Sequence, residues 1–222
     1  MGRMILFIYC AGGFGKEVMD MARRINKKEQ RWEDIFFIDD VIKEDEHYGS
    51  RKYTFEQVIK SFSFDTFEIS IASGEPFARK TLYDKVKSYN IKLATIIDET
   101  AIVSDSANIG EGVIIPAYSF VSSLAKIGNN ATLYVNTIVG HEVIISENCV
   151  ITSGVIIAGG VIIGENTYIG IGATIRERIT VGKGVIIGMG AVVYNDIQDE
   201  LIVLGNPARP MKRNIDEKVF KK

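Results

Sequence analysis

The segment from Thr137 to Gly164 reads TIVGHEVIISENCVITSGVIIAGGVIIG. Within it Val139, Ile145, Ile151, Ile157 and Ile163 recur at intervals of six. The same step runs outward without a slip to Ile97 on one side and Val193 on the other, and all seventeen positions are aliphatic. Four residues further along each hexad stands a small or β-branched residue, such as Ala101, Ala131, Thr137, Val143, Cys149 and Ala191, with Ile179 and Ile197 the bulkiest. A period of six matches neither the 3.6 of a helix nor the 2 of a long strand. It fits short β-runs joined by regular corners, with the large aliphatic filling the interior and the small residue at the turn. Coils of this kind pair their backbones in parallel, as in a β-helix. Three hexads per coil give roughly 5.7 coils stacked ~4.8 Å apart.

Composition shifts at the edge of the repeat. Fourteen of the 21 glycines fall between residues 97 and 198, many just after the aliphatic (Gly110, Gly128, Gly140, Gly164, Gly170, Gly182, Gly188). Corners needing unusual φ/ψ are the expected reason. The 102 residues of the repeat hold 13 charged side chains, against 41 in the other 120, which sets a domain edge near residue 97. The predicted organisation is an α/β unit over 1–96, the repeat over 97–198 and a capping tail over 199–222.

The whole chain of 222 residues is 46% hydrophobic and 24% charged, the balance of a soluble globular protein. A net charge of -2 and pI ≈ 5.8 give no electrostatic reason to expect nucleic acid or an anionic membrane as partner. Two cysteines, Cys10 and Cys149, are too few for a disulfide framework and fit a reducing compartment. The apolar run Met4–Gly13 is too short to span a bilayer and carries no basic leader, so the expected location is the cytoplasm. Two histidines exclude a three-histidine metal site within one subunit, and no metal is expected.

Before the repeat, Met4–Tyr9 reads as a buried strand and Lys16–Ile25 as a helix with Val18, Met21, Ala22 and Ile25 on one face. Strands are predicted at Ile35–Ile38, Phe67–Ala72 and Leu93–Ile97, and a helix over Pro76–Tyr89. Alternating β and α elements mean a small, Rossmann-like open sheet, whose ligands bind beyond the carboxyl ends of the strands. The places to look are Gly12-Gly13-Phe14, Asp39-Asp40 and Ser73-Gly74. The glycine turn lacks the first glycine of a dinucleotide fingerprint, because that position is Cys10. It suits a phosphate at a helix N-terminus, or it is a structural turn. Asp39-Asp40 either accepts hydrogen bonds from a ribose or base, or forms a solvated acidic turn.

Of the two histidines, His47 lies in the charged run Lys43–Tyr48 and is expected to be solvated. His141 lies off the aliphatic register and should point out of the coil, with Glu142 beside it to hold one ring nitrogen. Cys149 sits at an inward position and reads as core. Residues eighteen apart stack one above another, so His141, Gly159, Glu177 and Asn195 form one row and Ser153, Ile171 and Met189 another.

An α/β cap joined to a hexapeptide β-helix resembles the bacterial nucleotide-aminosugar N-acetyltransferases and sialic acid O-acetyltransferase-like proteins. The resemblance rests on Tyr9-Cys10-Ala11-Gly12-Gly13-Phe14-Gly15, Phe37-Ile38-Asp39-Asp40, Ile71-Ala72-Ser73-Gly74, Gly140-His141-Glu142 and Gly205-Asn206-Pro207-Ala208-Arg209. It implies a left-handed β-helix, acetyl-CoA as cosubstrate and a homotrimer with active sites between subunits. It implies acetyl transfer to a nucleotide-linked 4-amino-4,6-dideoxy sugar, with a sialic acid hydroxyl as the alternative acceptor; with Cys149 read as core no nucleophile is seen, so direct transfer is expected. His141 would be the general base, suited to the task because an imidazole ordinarily titrates near 6.5, and Glu142 its partner. Gly12, Gly13, Phe14, Asp39, Asp40, Ser73 and Gly74 would hold the nucleotide-sugar. Asn136 would touch the sugar or form a corner, and Gly159, Ile171 and Met189 would meet the coenzyme, the last two alternatively packing a trimer. Two positions depart from the family pattern: Phe14 replaces a histidine often found there, and Val150 replaces a second histidine nine residues after the first. A different class of reading, a non-catalytic β-helix binding module, would be favoured by loss of the outward histidine, and His141 is present. Outward apolar residues Ile114, Ile156 and Ile162 are expected on the trimer-facing walls.

Overall fold

The computed structural model describes residues 4–220. It opens with β1 (Met4–Tyr9), α1 (Gly13–Glu29), β2 (Trp32–Ile38), β3 (Glu46–His47), β4 (Ser50–Tyr53), α2 (Phe55–Ser61), β5 (Phe67–Ile71) and α3 (Pro76–Ser88). The sheet order is β3-β4-β2-β1-β5, parallel apart from the β3–β4 hairpin. β1 is flanked on both sides and covered on both faces, so it reads as one continuous apolar run rather than an alternation. Chain direction across the sheet reverses at β1, which places the loops after β1, β2 and β5 at one switch point.

The helix expected over Lys16–Ile25 begins earlier, at Gly13, so Gly13 and Phe14 lie in its first turn. The hairpin and α2 escape a reading by apolar periodicity because they are short and polar. A signal was nevertheless present. Thr54 and Gln57 form a capping box, with the Gln57 N–H donating to Thr54 Oγ1 (3.2 Å) and the Thr54 N–H to Gln57 Oε1 (2.7 Å). Thr54→Ala should cost about 1 kcal/mol and lower Tm by ~2–4 °C, as checked by calorimetry. His47 is half-buried rather than solvated: its ring packs edge-on against Phe37 at 5.8 Å and its Nε2 is shielded from solvent.

From Ile96 the chain forms seventeen two-residue strands, Ile96–Ile97 to Val192–Val193 (β6–β22). They stack into three parallel sheets, with each residue opposite those eighteen positions away; Ile138 lies between Phe120 and Ile156. The result is a left-handed β-helix of hexapeptide repeats. Both the aliphatic and the small series point inward and make one core. The tail continues the sheet that begins at Ile96. β23 (Leu201–Leu204) adds a further parallel rung beside Ile186–Ile187, and β24 (Arg209–Arg213) folds back on it antiparallel.

The glycines of the repeat divide by cause. Left-handed φ falls at the third corner residue, filled by Gly112, Gly154, Gly160, Gly172, Gly184 and Gly190 but also by Asn130, Asn136, Glu142, Asn148 and Asn166. The glycines just after the aliphatic do not have positive φ. They are required by contact between coils: a β-carbon on Gly140 would lie 2.8 Å from the Ala158 carbonyl carbon and the Gly159 nitrogen. The expectation of unusual φ at those positions is therefore corrected to close packing of adjacent coils.

The α/β unit and the β-helix share a core. The strand expected over Leu93–Ile97 is split between them: Leu93 bridges Ile69 in the first sheet, and Ile96–Ile97 begins the first coil. Ile96 and Ile114 are fully buried against Leu6, Ala22 and Ala94. Ile114 is outward from the coil but lies beneath the α/β unit, so it faces no trimer wall. Ile156 and Ile162 are each 43% exposed, on two different faces.

Candidate active site

His141 and Glu142 occupy the corner Gly140–Val143 between Ile138–Val139 and Ile144–Ile145. The corner is pinned from both sides: the Glu142 N–H donates to Ser123 O (3.0 Å), and His141 O accepts from the Gly160 N–H (2.9 Å). Both side chains point into solvent, at 63% and 62% exposure. His141 Nδ1 lies 3.0 Å from Glu142 Oε2. An ionised carboxylate can only accept, so in the neutral ring Nδ1 carries the proton and Nε2 is left with the lone pair. The ring rests on the next coil: a β-carbon on Gly159 would lie 2.4 Å from Nε2 and 2.6 Å from Cε1. Gly159 thus makes room for the imidazole itself, a reason the stacking row alone did not reveal.

Asn136, Ile171 and Met189 stand on a different prism edge, the corners that follow Leu133, Ile169 and Ile187. Asn136 is exposed in the left-handed conformation, while Ile171 (53%) and Met189 (75%) are open to solvent. The face carrying Ile138 and Ile156 separates this edge from His141. Within one chain the candidate residues therefore do not converge.

The α/β residues do gather. Gly12 and Gly13 are exposed at the start of α1, whose first turn has no side-chain cap and no acidic residue. Its leading N–H groups are orphan donors at the positive end of the helix dipole. Phe14 stacks on Tyr134 of the β-helix, centroids 4.2 Å apart and planes at 18°. A β-carbon on Gly74 would lie 2.9 Å from the Tyr134 hydroxyl. One tyrosine thus touches both the β1 and the β5 loops. A cavity of about 220 Å³ opens on Phe14, lined also by apolar Val18, Met21, Pro116, Ala117 and Val135 and by charged Glu17, Asp20 and Arg24.

At the end of β2 Asp39 is half-buried and Asp40 exposed, and each already accepts three hydrogen bonds within the chain. Asp39 accepts N–H groups of Ala11, Val41 and Ile42, each at 2.9 Å. Asp40 accepts from the Tyr9 hydroxyl, the Phe55 N–H (2.8 Å) and Lys85 Nζ (3.1 Å). Burial raises both carboxyls, but these donors outweigh it and hold each below the ordinary carboxylate range. The pair braces the strand ends that carry the glycine turn.

Cys149 is fully buried, its thiol donating to Gly164 O (3.1 Å). Burial pushes that thiol up to about 12, so it stays protonated at neutral pH. Cys149→Ala should leave kcat unchanged in a steady-state assay. Val150 is likewise sealed, against Tyr134, Tyr168, Ile186 and Val219. Among the described residues no cluster of His, Cys, Asp or Glu could hold a metal ion.

Two residues were invisible to motif reading. Tyr134 is an aromatic in a register where the coils on either side carry Pro116 and Thr152, a size mismatch that was legible. Arg79 gave no sign within its helix. It is fully buried, donating to Ile71 O, Ser73 O and Asn130, and burial lowers it to about 10, still a cation at neutral pH.

Coil, corner and exposed imidazole define the class, a bacterial hexapeptide transferase. That family model matches residues 160–195, and the PglD N-terminal domain matches residues 5–86. Similar solved structures include the acetyltransferase domain of PglB from Neisseria gonorrhoeae, at 30% identity over 94% of this chain and 100% of that one, TM-score 0.88. WeeI from Acinetobacter baumannii follows at 28% identity over 94% and 100%, TM-score 0.86. PerB from Caulobacter crescentus, in complex with CoA and GDP-perosamine, has 24% identity over 96% and 98%, TM-score 0.86, a likeness of fold. No curated protein matches the chain in sequence. The chain belongs to the hexapeptide-repeat acetyltransferase family that its sequence resembles, in which a PglD-type N-terminal domain precedes a left-handed β-helix, and it is an acyltransferase.

Proposed function

We propose that this enzyme transfers the acetyl group of acetyl-CoA to the amino group of a nucleotide-linked 4-amino-4,6-dideoxy sugar, a precursor of bacterial glycans. The observation that carries the reading is the exposed His141–Glu142 pair, with Nδ1 committed to the carboxylate and Nε2 free. Structural neighbours support the two substrates. The PglB domain is solved with acetyl coenzyme A, and PerB with CoA and GDP-perosamine.

Acetyl-CoA supplies an activated acyl group. His141 Nε2 takes the proton that the sugar amine loses as it attacks, and Glu142 stabilises the imidazolium that forms. Transfer is direct, because the Cys149 thiol is sealed and protonated. Gly12, Gly13, Phe14, Asp39, Asp40, Ser73 and Gly74 bind the nucleotide-sugar: the glycine turns through their backbone, Phe14 through its ring, and the two carboxylates through the acceptor position that their internal hydrogen bonds leave open. Gly159, Ile171 and Met189 meet the coenzyme and Asn136 the sugar.

Residues 1–96 serve the nucleotide-sugar, 97–198 the transfer, and 199–222 cap the coil. The separation of His141 from the Asn136–Ile171–Met189 edge supports a homotrimer, in which one subunit's edge faces the next subunit's histidine. Exposed Ile102, Phe120, Ile138 and Ile156 on the intervening face supply apolar surface for that contact. Two unpaired cysteines are consistent with a cytoplasmic enzyme, and no helix among the described residues is long and apolar enough to cross a membrane.

An acetyl-CoA consumption assay across UDP-, dTDP- and GDP-linked 4-amino-4,6-dideoxy sugars tests the reading. CoA release with one of them, and an N-acetylated product by mass spectrometry, is the expected result. Release with none of them, or product acetylated on oxygen, overturns it.

A further inference from the structure

Arg79 is an unusual buried cation. It forms no ion pair among the described residues, and its hydrogen bonds go to uncharged oxygens. Nε and one terminal nitrogen reach Asn130 O at 2.9 and 2.7 Å, and that nitrogen also reaches Asn130 Oδ1 at 3.0 Å. The other terminal nitrogen reaches Ile71 O at 2.6 Å and Ser73 O at 3.0 Å. Asn130 returns a bond from Nδ2 to Arg79 O (3.2 Å) and passes a second to Asn148 Oδ1 (2.8 Å). A charge held without a counter-charge is costly to bury, so its place calls for a reason beyond stability.

The reason lies in peptide geometry. The Ser73–Gly74 bond is trans, since Asn206–Pro207 is the cis bond of the described chain. In a planar trans peptide the C=O and the following N–H point in opposite directions. Arg79 draws the Ser73 carbonyl into the core, which turns the Gly74 N–H outward. That N–H donates to no acceptor among the described residues, whereas the neighbouring Ala72 N–H goes to Tyr9 O and the Glu75 N–H to Ser73 Oγ. The α-carbon of Gly74 faces the Tyr134 hydroxyl, and Tyr134 stacks on Phe14 of the glycine turn.

Resting on the substrate reading above, we infer that Arg79 is a positioning residue: it fixes the Ser73–Gly74 peptide so that the Gly74 N–H donates to an oxygen of the nucleotide-linked sugar. Through Asn130 it also sets the height of that donor against the catalytic coil. The guanidinium fork is what permits this, because it reaches the loop and the coil together while an ammonium cannot bridge both.

The test compares Arg79→Lys with wild type. Retained charge and a shorter reach should raise KM for the nucleotide-sugar at least tenfold, with KM for acetyl-CoA and kcat at saturation unchanged. A parallel rise in both KM values, or no rise in either, overturns the inference. Should Arg79→Lys fail to fold by circular dichroism, Gly74→Ala displaces the same peptide from outside by pressing on the Tyr134 hydroxyl, and the Gly74→Ala/Tyr134→Phe double removes that hydroxyl. KM for the nucleotide-sugar should rise in the single and return in the double; an unchanged KM in the single overturns the inference. Failure of the substrate reading is seen separately, as wild type that acetylates none of the sugars. In that case calorimetric binding of UDP, dTDP and GDP decides: weaker nucleotide binding by Arg79→Lys upholds the role, and equal binding, or none by wild type, overturns it.

Discussion

His141→Asn is expected to lower kcat at least a hundredfold, within the ~10²–10⁴-fold that a general base contributes. The fold should be untouched, because the side chain is 63% exposed and the corner is held by backbone bonds to Ser123 and Gly160. Asparagine is close to imidazole in reach and can still donate to Glu142, but it has no lone pair able to accept a proton at neutral pH. KM for both substrates should therefore stay near wild type, with the loss confined to kcat. Steady-state kinetics with a matched thermal melt is the measurement. Full activity in this variant would remove the proposed base.

The second large effect separates two glycines of adjacent coils. At Gly159 a β-carbon meets the tip of the His141 ring, a side chain free to swing into solvent. Gly159→Ala should displace Nε2 and reduce kcat by about 10- to 100-fold, since a shift of ~1 Å in a reacting group can cost that much. Its melting temperature should barely change. At Gly140 the β-carbon meets the backbone of Ala158 and Gly159 and the Ile157 carbonyl at 2.8–2.9 Å, which cannot move aside without parting two coils. Gly140→Ala should cost ~1–3 kcal/mol in overpacking, read as a fall in Tm of ~2–4 °C per kcal/mol. The same chemical change at two positions should thus strike activity in one case and stability in the other. Equal losses of Tm would show that the ring at Gly159 is not what the alanine meets.

Much of the architecture was legible because a stacked coil is nearly one-dimensional. Each hexad from Ile97 to Val193 repeats the same demand, a large aliphatic inside and a small residue at the corner, so errors do not accumulate. The Rossmann-like unit was legible for its long apolar elements, β1 and α1. The β3–β4 hairpin and α2 were not, since they bury only a few residues each. At the site, His141 beside Glu142 could be singled out from its break in register. Asp39 and Asp40 read as ligand-binding carboxylates; that they also tie down Ala11, Tyr9, Phe55 and Lys85 was not legible, because those partners lie on other elements.

Local pattern by itself determined the coil, its period, the outward histidine and the three strand-end loops, because each is set by residues near one another in sequence. Tertiary structure alone decided which outward faces are covered, as with Ile114 under the α/β unit, and which glycines answer to φ and which to the next coil. It alone joined Phe14 to Tyr134 and Arg79 to Asn130. Those pairs lie 120 and 51 positions apart, and a contact at that range follows from how two finished surfaces meet, which no repeat or motif within either surface encodes.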